Sequence, residues 1–249
     1  MIERAGLRIA IVDYGMGNLF SVKNACEHVG MQANITSSGP EILRAGAVIL
    51  PGVGAFGDAI ESLKRLDLIS PLMEMAQSSR PFVGICLGMQ LLMTESHEFG
   101  RHRGLGIIEG PVECLSNISE PSGNSQGSVS RRLKIPHVGW AGIFRRKASQ
   151  STTDHDVSAK DTWLRTPLAG LRSGAFMYFT HSFYVRPVNS DVVLSISRYG
   201  EVEFCSSFMR HNIFACQFHP ERSGPKGLQI YRQIASLMRN EEEGYGTNA

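Results

Sequence analysis

The chain has 249 residues, 42% of them hydrophobic and 19% charged, with a formal net charge of +2. Length and composition suit one globular domain with a sizeable core, and the charge is too small to argue for a nucleic-acid or anionic-membrane partner. No apolar run approaches the ~20 residues that span a bilayer, and the stretch before Asp13 is too short for a signal peptide's apolar core. The cysteines (Cys26, Cys86, Cys114, Cys205, Cys216) are odd in number and form no CxxC pair. That argues against a disulfide framework or a Cys-rich zinc site, so the expectation is a cytoplasmic protein with reduced thiols and no metal.

Taken in order, Arg8–Val12 (RIAIV) reads as a strand ending at DYGMGN. Asn18–Val29 has helical spacing, with Leu19, Val22, Ala25, Cys26 and Val29 on one face and Gly30 as its C-terminal stop. A strand near Gln32–Ile35 and a short helix from Pro40 follow. Ala47–Leu50 is a strand running into PGVG. Helices are predicted near Ala59–Leu66 and Pro71–Ala76, then a strand over Pro81–Ile85 and a helix over Leu87–Ser96. Apolar strands alternating with helices indicate an α/β fold whose parallel sheet is covered on both faces. Ligand crevices in such sheets lie at the carboxyl ends of the strands, where both PGVG and Cys86 fall.

The second half changes character. Short runs rich in Val, Ile, Phe and Tyr (GLGIIEGPVECL, KIPHVGWAGIF, AFMYFTHSFYV, VVLSISRYG, EVEFCSSF, NIFACQF) predict a mixed or antiparallel region. A final helix spans Lys226–Arg239, with a frayed tail after it. Two Ser-rich, polar segments at 116–130 and 148–161 read as mobile insertions within a single domain covering 1–249.

Three chemistries compete. Gly52-Val53-Gly54-Ala55-Phe56-Gly57 matches G-x-G-x-x-G, but the next strand ends in Cys86 rather than in the carboxylate a dinucleotide ribose needs. The turn reads instead as a Gly-rich bend, or as a bend presenting backbone N–H groups to an anion. The eight His are scattered, with no HExxH. The third chemistry is nucleophilic. Cys86 sits at a strand-to-helix turn, where the helix dipole favours a thiolate. Gly84 and Gly88 flank it and permit a sharp turn that exposes the side chain, the geometry of a nucleophile elbow. The same turn aims the Leu87 N–H at the nucleophile's target. His219 and Glu221, two apart at a strand end marked by Pro220, can act as a base and its orienting carboxylate. A buried structural thiol and a solvated loop histidine remain the competing readings of Cys86 and His219 taken singly.

With these residues in view, the chain resembles the class I (triad) glutamine amidotransferases. Gly84-Ile85-Cys86-Leu87-Gly88-Met89-Gln90 matches their G-x-C-x-G-x-Q elbow, and His219-Pro220-Glu221 their His-Pro-Glu. DYGMGN, PGVGAF, CLGMQLL, PHVGW and QFHPE, in that order over roughly residues 7–239, are similar to the glutaminase subunits of imidazole glycerol phosphate synthases. The resemblance implies a flavodoxin-like three-layer sandwich, with a mostly parallel central sheet and extra antiparallel strands. It implies that Cys86 attacks the carboxamide of L-glutamine, that His219 is base and then acid, and that Glu221 orients it. Gly52, Val53, Gly54 and Leu87 would form the oxyanion hole, and Gln90, His181, Ser182 and Phe183 would bind substrate together with Gly54. No cofactor is implied. The implied partner is a (β/α)8-barrel cyclase that receives the ammonia for L-histidine biosynthesis. A paralogue feeding a sugar amidotransferase, an inactive scaffold that activates a synthase, and a related cysteine peptidase are the alternatives. Ala141 departs from the pattern, which usually has Asn after Gly-Trp, in a region near the implied partner surface; Trp140 and His137 either mark that surface or are core residues.

Overall fold

The computed structural model describes residues 8–115, 133–146 and 162–246, with side chains to residue 239. Both Ser-rich segments, 116–130 and 148–161, and residues 247–249 of the tail lie outside the described residues. A nine-stranded sheet forms the middle of the molecule. Its first part is parallel: β2 (Gln32–Thr36), β1 (Arg8–Val12), β3 (Ala47–Gly52), β4 (Phe82–Cys86) and β13 (Ile213–Cys216) lie side by side in that order. β12 (Val202–Arg210), β11 (Val193–Tyr199), β8 (His137–Arg145) and β9 (Ala175–His181) continue it antiparallel. A smaller sheet contains β10 (Phe183–Val185), β7 (Ile108–Cys114), β5 (Met93–Ser96) and β6 (His102–Arg103).

Alternation along β1 shows how the layers assemble. Ile9 and Ile11 face one core with Val22 and Cys26 of α1 (Leu19–His28) and Ile230, Tyr231 and Ile234 of α6 (Gly224–Gly246). Ala10 and Val12 face the other. There they meet α2 (Gly39–Arg44), α3 (Phe56–Arg65), α4 (Ile69–Gln77) and α5 (Leu87–Leu91). Helix–sheet–helix is therefore the observed layering. α1 begins where the Asn18 side chain accepts the Ser21 N–H at 3.4 Å and ends where Gly30 adopts φ 85°. α3 carries Phe56, Ala59, Ile60 and Leu63 on one buried stripe. Truncating one of its large members to Ala would cost about 2–5 kcal/mol.

Three expectations change. The helix predicted over Leu87–Ser96 stops at Leu91, and Met93–Ser96 is a strand. The cause is tertiary. The carbonyls of Leu91, Leu92, Met93 and Thr94 accept the N–H groups of Leu105, Ile107 with Ile108, Gly106 and Gly104, so no continuing helix can use them. A Cβ on Gly104 would lie 2.2 Å from the Met93 oxygen, so this close approach needs glycine. The run AFMYFTHSFYV breaks at Ser182 into β9 and β10, which belong to different sheets. The final helix continues past Arg239, through the expected frayed region, to Gly246.

Candidate active site

β3 and β4 end together, with Gly52 and Cys86 as register partners. Cys86 has φ 53° and ψ −108°, a conformation L side chains rarely adopt. Such strain costs on the order of 1–3 kcal/mol and persists only where surrounding structure enforces it. The flanking glycines supply that enforcement. A Cβ on Gly88 would lie 1.7 Å from the Leu50 oxygen, and one on Gly84 would lie 3.1 Å from the Gly88 oxygen. α5 thus packs directly onto the strand ends and holds the elbow. Leu87 and Gly88 open α5, so their N–H groups have no partner within the helix.

His219 follows β13 and leads into a short 3-10 turn over Pro220–Arg222. Its N–H donates to the Tyr178 oxygen at 2.9 Å, and Ser223 Oγ donates to its carbonyl at 2.7 Å. The ring Nδ1 lies 2.8 Å from Glu221 Oε1, with both side chains buried. A carboxylate accepts, so Nδ1 carries a proton and Nε2 is left for chemistry. Nε2 is buried and has no hydrogen-bond partner among the described residues. Burial alone would lower the His219 pKa, but the adjoining negative charge of a Cys86 thiolate and of Glu221 outweighs it and pushes the ring up to about 10. The surroundings of His219 therefore favour its protonated form.

A cleft of about 260 Å³ opens over the sulfur. Of the predicted residues, Val53, Gly54, Leu87, Gln90, His181, Ser182 and Phe183 line it with Cys86. Gly52 lies beneath the turn against Tyr14, while His219 and Glu221 stand outside the lining, with His219 acting on the sulfur. Val53 is 42% exposed at the rim. His181 donates from Nδ1 to the Phe183 oxygen at 2.8 Å, so its Nε2 accepts the His137 Nδ1–H at 3.3 Å. Burial pushes the His181 pKa down to about 3, with the His137 and His219 charges acting the same way, so this histidine is neutral. The larger cavity, about 480 Å³ beside Arg8, Glu27 and Gln32, contains none of the predicted site residues.

Sequence reasoning missed Thr180, Glu98, Pro136, Tyr14 and Gln217. The first three line the cleft, and the Thr180 oxygen lies 3.8 Å from Cys86 Sγ. Tyr14 Oη donates to the Pro51 oxygen at 2.8 Å, directly before the Gly52–Gly54 turn. Gln217 donates to Cys86 Sγ at 3.5 Å. A signal existed for Gln217: it precedes His219 by two, the same spacing that singled out Glu221. Trp140 is 54% exposed on β8, while His137 and Ala141 are buried. Ala141 therefore faces the core, and the exposed apolar residues of the strand are Val138, Trp140 and Phe144.

Residues 10–235 match the family Glutamine amidotransferase class-I. The chain belongs to the class I glutamine amidotransferases. As such an enzyme it has relatives whose likeness runs nearly end to end. It is 40% identical over 227 residues to the imidazole glycerol phosphate synthase subunit HisH of Geobacter metallireducens, covering 91% of this chain and 97% of that one. It is 41% identical over 225 residues to the HisH of Aquifex aeolicus, covering 90% and 94%. PurLQS from Thermotoga maritima shares the fold with a TM-score of 0.63 at 16% identity, over 93% of this chain and 98% of that chain. The amidotransferase family matches from β1 into α6, so it includes every residue of the elbow and of the His219–Glu221 pair.

Proposed function

We propose that this single-domain glutamine amidotransferase is the glutaminase subunit of an imidazole glycerol phosphate synthase. It hydrolyses L-glutamine to glutamate and ammonia, and the ammonia passes to a (β/α)8-barrel cyclase subunit for L-histidine biosynthesis. The observation that carries the chemistry is the strained Cys86 elbow beside an imidazole whose Nδ1 is held by Glu221. The identity to HisH subunits over nine-tenths of the chain supports this pathway over the sugar amidotransferase alternative.

In this mechanism the Cys86 thiolate attacks the glutamine carboxamide carbon. The oxyanion is held by the Leu87 N–H and by N–H groups of the Gly52–Gly54 turn, a reading supported by the pairing of Gly52 with Cys86 at the ends of β3 and β4. His219 gives its Nε2 proton to the leaving nitrogen, and ammonia departs. A γ-glutamyl thioester remains. His219 then takes a proton from water, which attacks the thioester and regenerates the thiolate. Gln90, His181, Ser182 and Phe183 form the cleft wall against which the rest of glutamine is held. Gln90 Nε2 already donates to the Phe183 oxygen at 3.0 Å, so Gln90 contacts substrate through its oxygen.

Mixing the chain with the (β/α)8-barrel cyclase subunit of the same organism, and supplying glutamine together with the cyclase's own substrate, tests the proposal. Glutamine-dependent formation of imidazole glycerol phosphate is expected. Ammonia release with no such product, even with a barrel that uses free ammonia, would refute the pathway and leave the glutaminase chemistry standing.

A further inference from the structure

We propose that Gln217 is a further catalytic residue, whose side-chain N–H holds the Cys86 sulfur in place and stabilises its anionic form. The inference deepens the glutaminase reading and rests on it.

Gln217 is fully buried between β13 and His219, and its backbone N–H is tied to the Ser206 oxygen at 2.9 Å. Neighbouring groups dictate which way its amide points. The Phe183 carbonyl can only accept, so the Gln90 nitrogen must face it, at 3.0 Å. That same nitrogen lies 3.2 Å from the Gln217 amide, which must therefore present its oxygen there. The Gln217 nitrogen is left facing Cys86 Sγ at 3.5 Å. Turning the amide over would set NH₂ against NH₂ and give the sulfur an oxygen neighbour instead.

A buried N–H aimed at sulfur discriminates between protonation states. A neutral thiol is a weak acceptor, whereas a thiolate makes a charge-assisted bond roughly twice as strong as a neutral one. The bond therefore favours the nucleophilic form, and it weakens once the sulfur becomes a neutral thioester. The thiol's own proton has the Thr180 oxygen at 3.8 Å. The titratable groups whose charge couples to the sulfur are His219 from the turn after β13, Tyr14 from the loop after β1, and Cys216 from β13. Glu221 and His181 act on it through His219. Gln217 thus donates to this sulfur at 3.5 Å from the side of β13, in addition to the His219 imidazole that interacts with it.

A Gln217 that merely filled the core would matter for stability but not for the ionisation of Cys86. The decisive readout is therefore the pH dependence of Cys86 alkylation by iodoacetamide, followed on the Cys86 peptide. Gln217→Met keeps the volume but removes the N–H, and it leaves Gln90 bonded to the Phe183 oxygen. The pH of half-maximal alkylation should rise by about one unit, and kcat for glutamine should fall about tenfold with KM changed far less, as expected for loss of one bond to a charged group. Gln217→Glu should shift at least as far, because a carboxylate repels the thiolate. An unmoved midpoint in either folded variant overturns the assignment. The wild type supplies a test independent of variant folding: the Gln217 side-chain amide resonance should titrate with the midpoint of Cys86 alkylation, and a resonance indifferent to that titration also overturns it. Absence of ammonia release by wild type with its barrel partner would count against the glutaminase reading alone.

Discussion

Gly52 and Cys86 stand opposite one another as Cα partners at the ends of two neighbouring parallel strands. That pairing brings Cys86 beside the Gly52–Gly54 turn, though the two lie far apart in sequence. It also leaves no room at residue 52, since a Cβ there would lie 2.0 Å from Tyr14 Oη and 3.0 Å from Leu87 Cβ. Gly52→Ala should therefore displace both the Tyr14–Pro51 hydrogen bond and the start of α5. Overpacking of this kind costs about 1–3 kcal/mol. The expected outcome is a lower melting temperature and a kcat reduced at least tenfold. Adding Tyr14→Phe removes the colliding hydroxyl and should restore part of the stability. Full activity in Gly52→Ala alone would show that the turn is not held this way.

In the proposed mechanism Glu221 acts through His219, whose Nδ1 lies 2.8 Å from its Oε1. Glu221→Gln removes the charge that holds the Nδ1 proton and supports the imidazolium, and it should lower kcat by about 100-fold with a small change in KM. The His219 pKa is raised to about 10, so the folded protein holds a proton there that the unfolded chain releases near its ordinary 6.5. Stability from this group is complete below about pH 6.5 and is lost as pH rises through about 10. NMR of the imidazole should show the wild-type ring still protonated at pH 8, and Glu221→Gln should bring its titration down. Equal titration in both proteins would contradict the assigned role.

His181 works with the opposite sign. Burial depresses its folded pKa to about 3, so the unfolded chain binds the proton first as pH falls. Its stabilising contribution is complete above about pH 6.5 and is lost as pH falls from there toward about 3. Between pH 6.5 and 5 the loss should approach about 2 kcal/mol. His181→Asn keeps an N–H for the Phe183 oxygen but cannot titrate. Denaturant unfolding should then show a flatter acid limb in the variant, and parallel limbs would argue against a neutral buried His181.

β1, β3 and β4 were legible as apolar runs whose residues are nearly all buried, and α1 because its apolar spacing and its Asn18 and Gly30 ends agree; β13 was expected in the mixed or antiparallel region and instead pairs parallel with β4. The helix predicted through Ser96 failed for a reason no local pattern contains: N–H groups from Gly104–Ile108 claim the carbonyls of Leu91–Thr94. The turn at Cys86 and the pairing of His219 with Glu221 were expected from turn chemistry and a two-residue spacing, and the structure has both. Gln217 was not recognised: its two-residue spacing from His219 was the local signal, but the direction of its amide is set by Gln90 and Phe183, distant in sequence. The exposure of Trp140 beside the burial of Ala141 likewise depends on which face of β8 meets the core.

The central claim is that Cys86 is the nucleophile of a glutaminase, and ammonia release by Cys86→Ser in the presence of the barrel partner tests it most directly. The variant should fold with a melting temperature near wild type and release ammonia at least about 100-fold more slowly, since the hydroxyl is far less nucleophilic than the thiolate. Undiminished ammonia release from glutamine by Cys86→Ser would contradict the account.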